Sequence, residues 1–378
     1  MSINLPFVSG KVENTINEEE LVNLDSAKSA ILIEATSGQI LYEKNAHEKL
    51  APASMTKIMT MKLVLDAIED NNLSFDKMLT TSTHASKMGG SQIFLAENEQ
   101  MKCIDLFKSM VIASANDAAV VLAEEVSGSE DNFVRKMNLE ANKIGCKNTN
   151  FVNCTGLPVE NHYTTSYDMA LMARNLLINY EDTITPFSST YEDYVRKDTS
   201  NPFWLVNTNK MLKMNNGIDG LKTGWTNDAG YCITTTMKKD GMRLISVVMG
   251  AENPTLRNND TLKLLNYGYT EYELIPLKGK NEEVTYESDI VLSPNKYHIV
   301  TSEEVNYIKR KDVKLGDVTY DINLNRDKIR KLCREEVGEL GVYIDGELYT
   351  KVNLELKEKP AKASFIEIVF EVFKSLFK

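Results

Sequence analysis

The sequence predicts a mixed α/β (α+β) fold in which an antiparallel sheet is flanked by helices and is followed by a smaller, mostly β domain. Two hairpins with turn signals lie far apart in the first 272 residues, and helical stretches rich in Ala, Leu, Met and Val lie between them. After residue 272 the chain alternates short β-type runs with charged turns. We therefore predict a helix-and-sheet domain at 1–272, a β-rich domain at 273–360 and an amphipathic helix at 361–378.

The first hairpin and the first helix lie near the start of the larger domain. Residues 30–35 and 39–43 are β-rich runs around a turn that contains Gly38, which indicates an antiparallel hairpin. Residues 52–70 follow, with Pro52 near the start and apolar side chains spaced by three and four residues. This pattern predicts a buried or amphipathic helix whose first turn contains Ser54.

The remaining elements of the larger domain are helices and a second hairpin. Apolar stretches predict helices at about 103–126, 130–144, 166–180 and 255–268. Residues 230–237 and 243–249 surround the turn Lys239-Asp-Gly241, in which Asp-Gly is a strong hairpin signal.

The second domain contains short β-type runs. Asp345-Gly346 predicts a hairpin turn, and no catalytic constellation appears in this part of the chain. The clearest predicted strands are 284–286, 290–292, 297–300 and 348–354.

Composition excludes several classes of protein. Of the 378 residues 42% are hydrophobic and 26% are charged, which is enough apolar material for a large core and excludes a disordered or low-complexity chain. Lys+Arg of 43 against Asp+Glu of 54 gives a net charge of −11. An acidic balance argues against a nucleic-acid partner and against an anionic membrane footprint over the bulk of the protein.

Cysteine and histidine spacing predicts neither a metal site nor a disulfide framework. No C-x-x-C pair occurs and the four histidines do not cluster with the cysteines, so we expect no metal or cofactor and interpret the cysteines as buried free thiols. These are Cys103, Cys146, Cys154, Cys232 and Cys333. The first twenty residues have neither a charged n-region nor an apolar h-region, so we expect no secretory signal within the sequence as given.

The last sixteen residues have a narrow polar stripe on an otherwise apolar segment. Glu367, Glu371, Lys374 and Lys378 are spaced by four, three and four, and phenylalanines and aliphatic residues occupy the rest. The segment is shorter than the roughly 20 apolar residues that span a bilayer. Its pattern favours a helix in a membrane interface, while docking on the protein core or on a partner remains open.

A candidate nucleophile and a candidate base lie together at the start of the first helix. In Ser54-Met-Thr-Lys57 the two reactive side chains are three residues apart, so on a helix they share a face. A neutral lysine there can take the serine proton. The same spacing recurs at 74/77, 293/296 and 375/378, but only Ser54 opens a helix of buried-type residues.

Two further motifs follow at informative positions. Ser114-Ala-Asn116 lies after an apolar run, and Lys222-Thr-Gly224 leads into the second hairpin. Ser-x-x-Lys, a Ser-x-Asn motif and Lys-Thr-Gly in this order form the motif set of β-lactamases and penicillin-binding proteins.

At these residues the chain resembles the low-molecular-mass penicillin-binding proteins, the serine D-Ala-D-Ala carboxypeptidases. The resemblance covers nearly the whole chain and implies a β-lactamase/transpeptidase-like domain, a smaller β domain and a membrane-associating helix. It implies a hydrolase that removes the terminal D-alanine from peptidoglycan stem pentapeptides through an acyl-enzyme, and that binds β-lactam antibiotics covalently. It also implies a location at the outer face of the bacterial cytoplasmic membrane.

The resemblance assigns roles to the motif residues. Ser54 would be the acylated nucleophile, Lys57 its general base and Ser114 a proton relay toward the leaving D-alanine. Asn116 would hold the substrate amide, and its alternative role is that of a helix-interior or helix-cap residue. The alternative for Ser114 is that it is only a small residue that packs well. A neutral Lys57 near pH 7 would require desolvation and repulsion from Lys222 to lower its pKa.

The strand motif and one arginine would bind the substrate. The resemblance implies that Lys222 and Thr223 help to bind the terminal carboxylate, and that Gly224 lets the substrate backbone approach. The N–H groups of Ser54 and Trp225 would form the oxyanion hole. The last residue of this set is Arg257, which matches a carboxylate-anchoring arginine and could instead be a solvated helix charge.

Some positions depart from the family pattern or have simpler interpretations. Trp225 is bulkier than the residue that usually follows Lys-Thr-Gly, and Cys154 lies in a loop that usually has proline or another residue there. We interpret Asp168 as a structural hydrogen-bonding group.

Two alternative functions remain at this stage. A β-lactamase would need a glutamate-bound water for fast deacylation, and no Glu-x-x-Leu-Asn occurs between Asn116 and Lys222. A penicillin-sensing or structural domain would keep the same motifs with slow or absent turnover.

Overall fold

The structure is a computed structural model and is described for residues 22–197, 202–214, 217–287, 297–330, 333–358, 364–366, 369 and 373. The described chain divides into two compact units, with the division between Thr270 and Glu271. The α-helices are α1 (Lys57–Glu69), α2 (Thr83–Ser86), α3 (Cys103–Ile112), α4 (Asn116–Ser127), α5 (Glu130–Ile144), α6 (Ser166–Ser188), α7 (Pro254–Glu271) and α8 (Arg326–Arg330).

The strands of the first unit form one large sheet and two small hairpin sheets. The large sheet has the order β2-β1-β9-β8-β7 and every neighbouring pair is antiparallel. The strands are β1 (Ser29–Glu34), β2 (Ile40–Lys44), β3 (Met78–Thr80), β4 (Gln100–Lys102), β5 (Glu192–Val195), β6 (Phe203–Val206), β7 (Ile218–Thr226), β8 (Gly230–Lys239) and β9 (Met242–Ala251). The sheet order leaves β7 at one edge, where half of its backbone polar groups face away from β8.

Both predicted hairpins are confirmed. β1 pairs with β2 around the predicted turn, and β8 pairs with β9 through Asp240 and Gly241, both of which have positive φ. Positive φ at both turn residues matches the right-handed twist of the flanking strands.

Helices cover both faces of the large sheet. β1 and β9 are buried along their whole lengths, as expected of strands that are covered on two sides. Ile31 and Val247 belong to the main core with the α1, α4 and α6 side chains. Leu32 and Leu244 face the other way, against Gly268 of α7. The sheet therefore lies between two helical layers.

The prediction of one continuous helix at 103–126 is wrong at the centre of that range. Two helices replace it, because the chain breaks between Ile112 and Asn116, where Ser114 has a φ of +61°. The apolar periodicity continues across the break, so the sequence pattern did not reveal it. The predicted helix at 52–70 also begins differently, as a 3-10 turn at Ala53–Thr56 that leads into α1.

The other helices follow the predictions with longer ends. α5 matches 130–144, and α7 extends the predicted 255–268 by a few residues at its end. α6 extends the predicted 166–180 to Ser188 with non-helical backbone at Tyr180.

The second unit is mostly β. Its larger sheet has the order β11-β12-β16-β15-β14, and β10 pairs with β13. Asp345 and Gly346 join β15 to β16 with positive φ, which confirms the predicted turn, whereas the predicted strand at 290–292 lies outside the described residues. The strands are β10 (Tyr272–Lys278), β11 (Glu283–Glu287), β12 (Tyr297–Thr301), β13 (Val305–Arg310), β14 (Val318–Leu324), β15 (Gly338–Ile344) and β16 (Glu347–Leu356).

The predicted terminal helix lies mostly outside the described residues. Of its apolar members, Phe365, Ile366, Val369 and Phe373 are described, and all four side chains are exposed. Among the described residues, no helix combines the length and the apolar character that crossing a membrane requires.

Candidate active site

Ser54 lies in the 3-10 turn immediately before α1, and Lys57 is the first residue of that helix. Lys57 is completely buried, and its Nζ lies 3.1 Å from Ser54 Oγ. Ala53 has a φ of +48°, a conformation that a residue other than glycine adopts only under strain and that occurs often at functional sites. The turn thus presents the Ser54 hydroxyl to the lysine amine.

The Lys57 amine is held by two further acceptors. Its Nζ donates to Asn116 Oδ1 at 2.7 Å and to the carbonyl oxygen of Thr155 at 2.8 Å. Burial lowers the pKa of Lys57 to about 7, although Cys154 and Asp117 nearby oppose the shift. Two protons satisfy the two acceptors, so a neutral amine has its lone pair left for the Ser54 hydroxyl.

The loop before α3 positions Asn116. The side-chain Nδ2 of Asn116 donates to the carbonyl of Gly89 at 2.7 Å, and its backbone N–H donates to the carbonyl of Ser91 at 2.7 Å. The next residue, Asp117, is buried and accepts the backbone N–H groups of Ile93 and Leu95. Hydrogen bonds therefore hold both the Oδ1 and the Nδ2 atom of the Asn116 side chain in place beside Lys57.

Ser114 reaches the site because of the break between α3 and α4. Its left-handed backbone directs the side chain into the cleft that Ser54 also lines. Ser114 Oγ is buried and has no hydrogen-bond partner among the described residues. Buried hydroxyls normally have a hydrogen-bond partner, and the position of Ser114 at the cleft allows a ligand to supply one.

The Lys-Thr-Gly motif lies on the edge strand β7, beside the 3-10 turn of Ser54. A Cβ at Gly224 would lie 2.7 Å from the carbonyl oxygen of Pro52 and 3.1 Å from the backbone N of Ser54, so any side chain there would separate the two segments. Thr223 Oγ1 is hydrogen-bonded to Thr208 Oγ1 at 2.5 Å. Gly224 is thus needed for the close approach of β7 to the nucleophile.

Two buried cations near the cleft have no carboxylate partner among the described residues. Lys222 donates to the carbonyl of Thr223, and burial lowers its pKa well below the usual value, with a further contribution from the charges of Lys57 and Arg257. Arg257 donates to Asn258 Oδ1 and, at 3.5 Å, to a backbone carbonyl, and burial lowers its pKa to about 10. Buried charges are normally paired, so these two favour an anionic ligand.

These groups surround one cleft of about 410 Å³. Trp225 stands at its rim with 54% of its surface exposed and with its ring 5.8 Å from that of Tyr231. A larger groove of about 640 Å³ lies in the second unit, and two of the charged side chains that line it, Lys328 and Glu336, pair with each other. The smaller cleft is the one that contains a nucleophile beside a base.

The chain matches the D-alanyl-D-alanine carboxypeptidase family over residues 15–253. It belongs to this family. The carboxypeptidase DacF of Bacillus subtilis is 45% identical over 343 residues, which cover 90% of this chain and 87% of that protein. The predicted family is therefore confirmed.

Solved structures of penicillin-binding proteins have the same fold. Penicillin-binding protein 5 of Haemophilus influenzae matches 89% of this chain and 98% of its own length at 28% identity and a TM-score of 0.71. Penicillin-binding protein D2 of Listeria monocytogenes, in its ampicillin-bound form, matches 65% of this chain and 98% of its own at 33% identity and a TM-score of 0.59. These matches confirm the transpeptidase-like fold.

In this carboxypeptidase the structure brings the predicted residues together. Around the Ser54–Lys57 pair lie Ser114, Asn116, Lys222, Thr223, Gly224, Trp225 and Arg257. Asp168 lies apart from the cleft, where its carboxylate accepts from Asn148 and Thr149, as expected of a structural group. Cys154 is buried beside the base and its thiol pKa is raised by burial.

Sequence reasoning missed three contributors to the carboxypeptidase site. Thr155 supplies a backbone carbonyl to Lys57, which no side-chain pattern reveals. Gly156, with a φ of +84°, packs so closely on Ala53 that a Cβ would overlap its carbonyl. His162 accepts from the N–H of Val152 and contacts Thr56 Oγ1 at 2.9 Å, and burial lowers its pKa to about 4. It is a neutral structural residue.

The described residues contain no group of three or more histidine, cysteine or acidic side chains that could hold a metal ion.

Proposed function

We propose that this protein is a serine D-Ala-D-Ala carboxypeptidase that removes the terminal D-alanine from peptidoglycan stem pentapeptides through an acyl-enzyme on Ser54. The observation that carries the proposal is the position of the buried Lys57 amine. Its Nζ lies 3.1 Å from Ser54 Oγ, and its two other contacts are with oxygens that can only accept, Asn116 Oδ1 and the carbonyl of Thr155. An amine with a pKa of about 7 is an efficient base near neutral pH.

In acylation, the neutral Lys57 accepts the hydroxyl proton while Ser54 Oγ attacks the carbonyl carbon of the penultimate D-alanine. The peptide bond to the terminal D-alanine then breaks, and the departing nitrogen takes a proton, which passes from Lys57 through Ser114. Ser114 suits this relay because its hydroxyl is buried at the cleft without another partner among the described residues. In the second half-reaction water attacks the ester carbonyl and Lys57 takes a proton from the water. The bond between the acyl carbon and Ser54 Oγ then breaks, and Lys57 returns the proton to Ser54 Oγ.

The backbone stabilises the charge that develops on the carbonyl oxygen. We assign this role to the N–H groups of Ser54 and Trp225, because Gly224 brings the edge of β7 against the backbone of Ser54. In our proposal an extended peptide adds to this edge of the sheet as a further strand. Fixed donors of this kind need no reorganisation during the reaction.

The terminal carboxylate is the ligand that suits the two unpaired cations. In our proposal Thr223 donates to it from the strand, while Lys222 and Arg257 neutralise it, and Asn116 contacts the substrate amide. A β-lactam carries a carboxylate beside a reactive carbonyl and would use the same groups, which agrees with the ampicillin-bound relative.

Family members act on the cell wall outside the cytoplasm, and the finer location is a proposal. We propose that residues 361–378 form a helix that lies on the outer face of the cytoplasmic membrane. Exposure of Phe365, Ile366, Val369 and Phe373 supports it, because these positions fall near one face of a helix. We likewise propose a catalytic domain at 1–272 and a β-rich domain at 273–360.

Two assays test the enzymatic proposal together. We expect a fluorescent penicillin to label Ser54 stably and diacetyl-Lys-D-Ala-D-Ala to release D-alanine. Lys57→Ala should lose at least about 100-fold in the labelling rate, since general bases contribute about 10²–10⁴. Lys77→Ala removes the exposed lysine of another Ser-x-x-Lys match and should change nothing. Rapid penicillin turnover would instead indicate a β-lactamase, and labelling without release a sensor.

The membrane proposal needs a separate experiment. Liposomes that contain anionic lipid should float with the full chain and not with a chain that ends at residue 360. Replacing Phe365 and Phe373 by serine should have a similar effect without shortening the chain. Equal flotation of all three proteins would exclude the terminal segment as an anchor.

A further inference from the structure

The mechanism above leaves one charged residue of the cleft unused. Lys210 begins a short 3-10 helix, Lys210–Met214, and its exposed side chain lines the cleft together with Thr208, Thr223 and Arg257. Thr208 lies two residues before Lys210, and its hydrogen bond to Thr223 connects this segment to the Lys-Thr-Gly strand. The position of Lys210 at the cleft is therefore fixed by the same strand that would bind substrate.

Lys210 has no partner for its charge among the described residues. It makes neither an ion pair nor a hydrogen bond there. Lys213 of the same 3-10 helix provides a contrast, because its Nζ lies 3.8 Å from a Glu192 carboxylate oxygen and 4.1 Å from the centre of the Tyr191 ring. Of these two lysines one turn apart, the one that faces the cleft has no charge partner within the part of the chain that the structure describes.

The cleft lining has a single sign of charge. Among the described residues that line it, the charged side chains are Lys210 and Arg257, and none is a carboxylate. A cleft lined by one sign of charge attracts ligands of the other sign and raises their rate of capture. This pattern occurs although the whole chain has a net charge of −11.

We propose that Lys210 is a specificity-determining residue that binds a carboxylate of the substrate at the outer part of the cleft. The proposal rests on the carboxypeptidase function proposed above. The carboxylate has two sources in a stem peptide, namely the C-terminus of the leaving D-alanine or a free carboxylate on the side chain of the residue before the two D-alanines, as in a diaminopimelyl residue. Both present the same chemistry to an ammonium group.

The two sources are separated by two substrates. Diacetyl-Lys-D-Ala-D-Ala carries only the terminal carboxylate, and the corresponding diaminopimelyl peptide carries a second one. We compare wild type with Lys210→Met, and use Lys213→Met as a control that removes the same charge from the same 3-10 helix. We expect Lys210→Met to lower kcat/KM about three- to tenfold, mainly through KM, as for a partly exposed ion pair.

Each outcome has one interpretation. A loss with both peptides assigns Lys210 to the terminal carboxylate, and a loss confined to the diaminopimelyl peptide assigns it to the side-chain carboxylate. The loss should shrink when NaCl is raised from 0.05 to 0.5 M, and Lys210→Arg should restore most of the activity, which a merely structural role would not do.

Equal kcat/KM values for Lys210→Met and Lys213→Met with both peptides would overturn the proposal. Failure of the underlying function is distinguishable, because wild type would then release no D-alanine from either peptide.

Discussion

The rate at which Ser54 is acylated should follow the titration of Lys57. The amine must be neutral to accept the hydroxyl proton, and burial lowers its pKa from 10.5 to about 7. Protonation below this value removes the base, so the rate must fall as the pH falls. With the ordinary lysine pKa the rate would instead keep rising about tenfold per pH unit up to about pH 10.

The size of the effect follows from the titration curve. With a pKa of about 7, roughly one tenth of Lys57 is neutral at pH 6 and roughly nine tenths at pH 8. The second-order rate constant for acylation by a penicillin should therefore rise about tenfold between these values and level off above them. At pH 5 it should be lower by about another factor of ten.

Stopped-flow or gel-based labelling with a fluorescent penicillin from pH 5 to pH 9.5 measures this profile. Circular dichroism at each pH checks that the fold persists, and the profile of Lys77→Ala should superimpose on that of wild type. A rate that is constant from pH 6 to pH 8, or one that still rises about tenfold per pH unit between pH 8 and pH 9.5, would show that Lys57 is not a base with a lowered pKa.

Three further predictions concern the supports of the site and the second unit. Gly156→Ala should abolish labelling because its Cβ would overlap the carbonyl of Ala53, the residue before the nucleophile. The control Gly145→Ala also has positive φ but has open space around its Cβ, so it should label normally and lose only about 1–2 kcal/mol of unfolding free energy, measured in urea. Asp117→Asn should move the midpoint of the acylation profile below that of wild type, because a negative charge that raises the pKa of Lys57 is removed; an unchanged midpoint would contradict this. Leu354→Ala should destabilise the second unit by about 2–5 kcal/mol, because the Leu354 side chain is fully buried there. The labelling rate at 25 °C should not change, because the cleft is lined by residues of the first unit, and slower labelling by folded protein would contradict this.

Local chemistry was sufficient to predict much of the fold. Hairpins depend on turn residues with positive φ, and the Asp-Gly pairs at 240 and 345 mark them directly. The contact between Ser54 and Lys57 is also local, because it depends on a spacing of three residues in one helical turn. Buried helices are recognisable from long apolar stretches, although their ends are not.

Long-range contacts decided what the sequence pattern left open. The break at Ser114 interrupts an apolar run that would otherwise continue as a helix, and it is held by the loop whose carbonyls at 89 and 91 bind Asn116. The carbonyl of Thr155 reaches Lys57 from nearly one hundred residues away. No periodicity encodes such contacts.

The sequence by itself therefore determined the reactive groups, their order and the elements that carry them, because side-chain identity, turn chemistry and helical spacing are properties of short segments. Only the tertiary structure decided how reactive those groups are. The pKa of Lys57 depends on burial by segments that are distant in the chain. The surroundings of the Lys210 charge depend on which side chains the fold brings to the cleft, and among the described ones none is a carboxylate. Burial and electrostatic potential sum over everything nearby in space, and that sum exists only once the chain has folded.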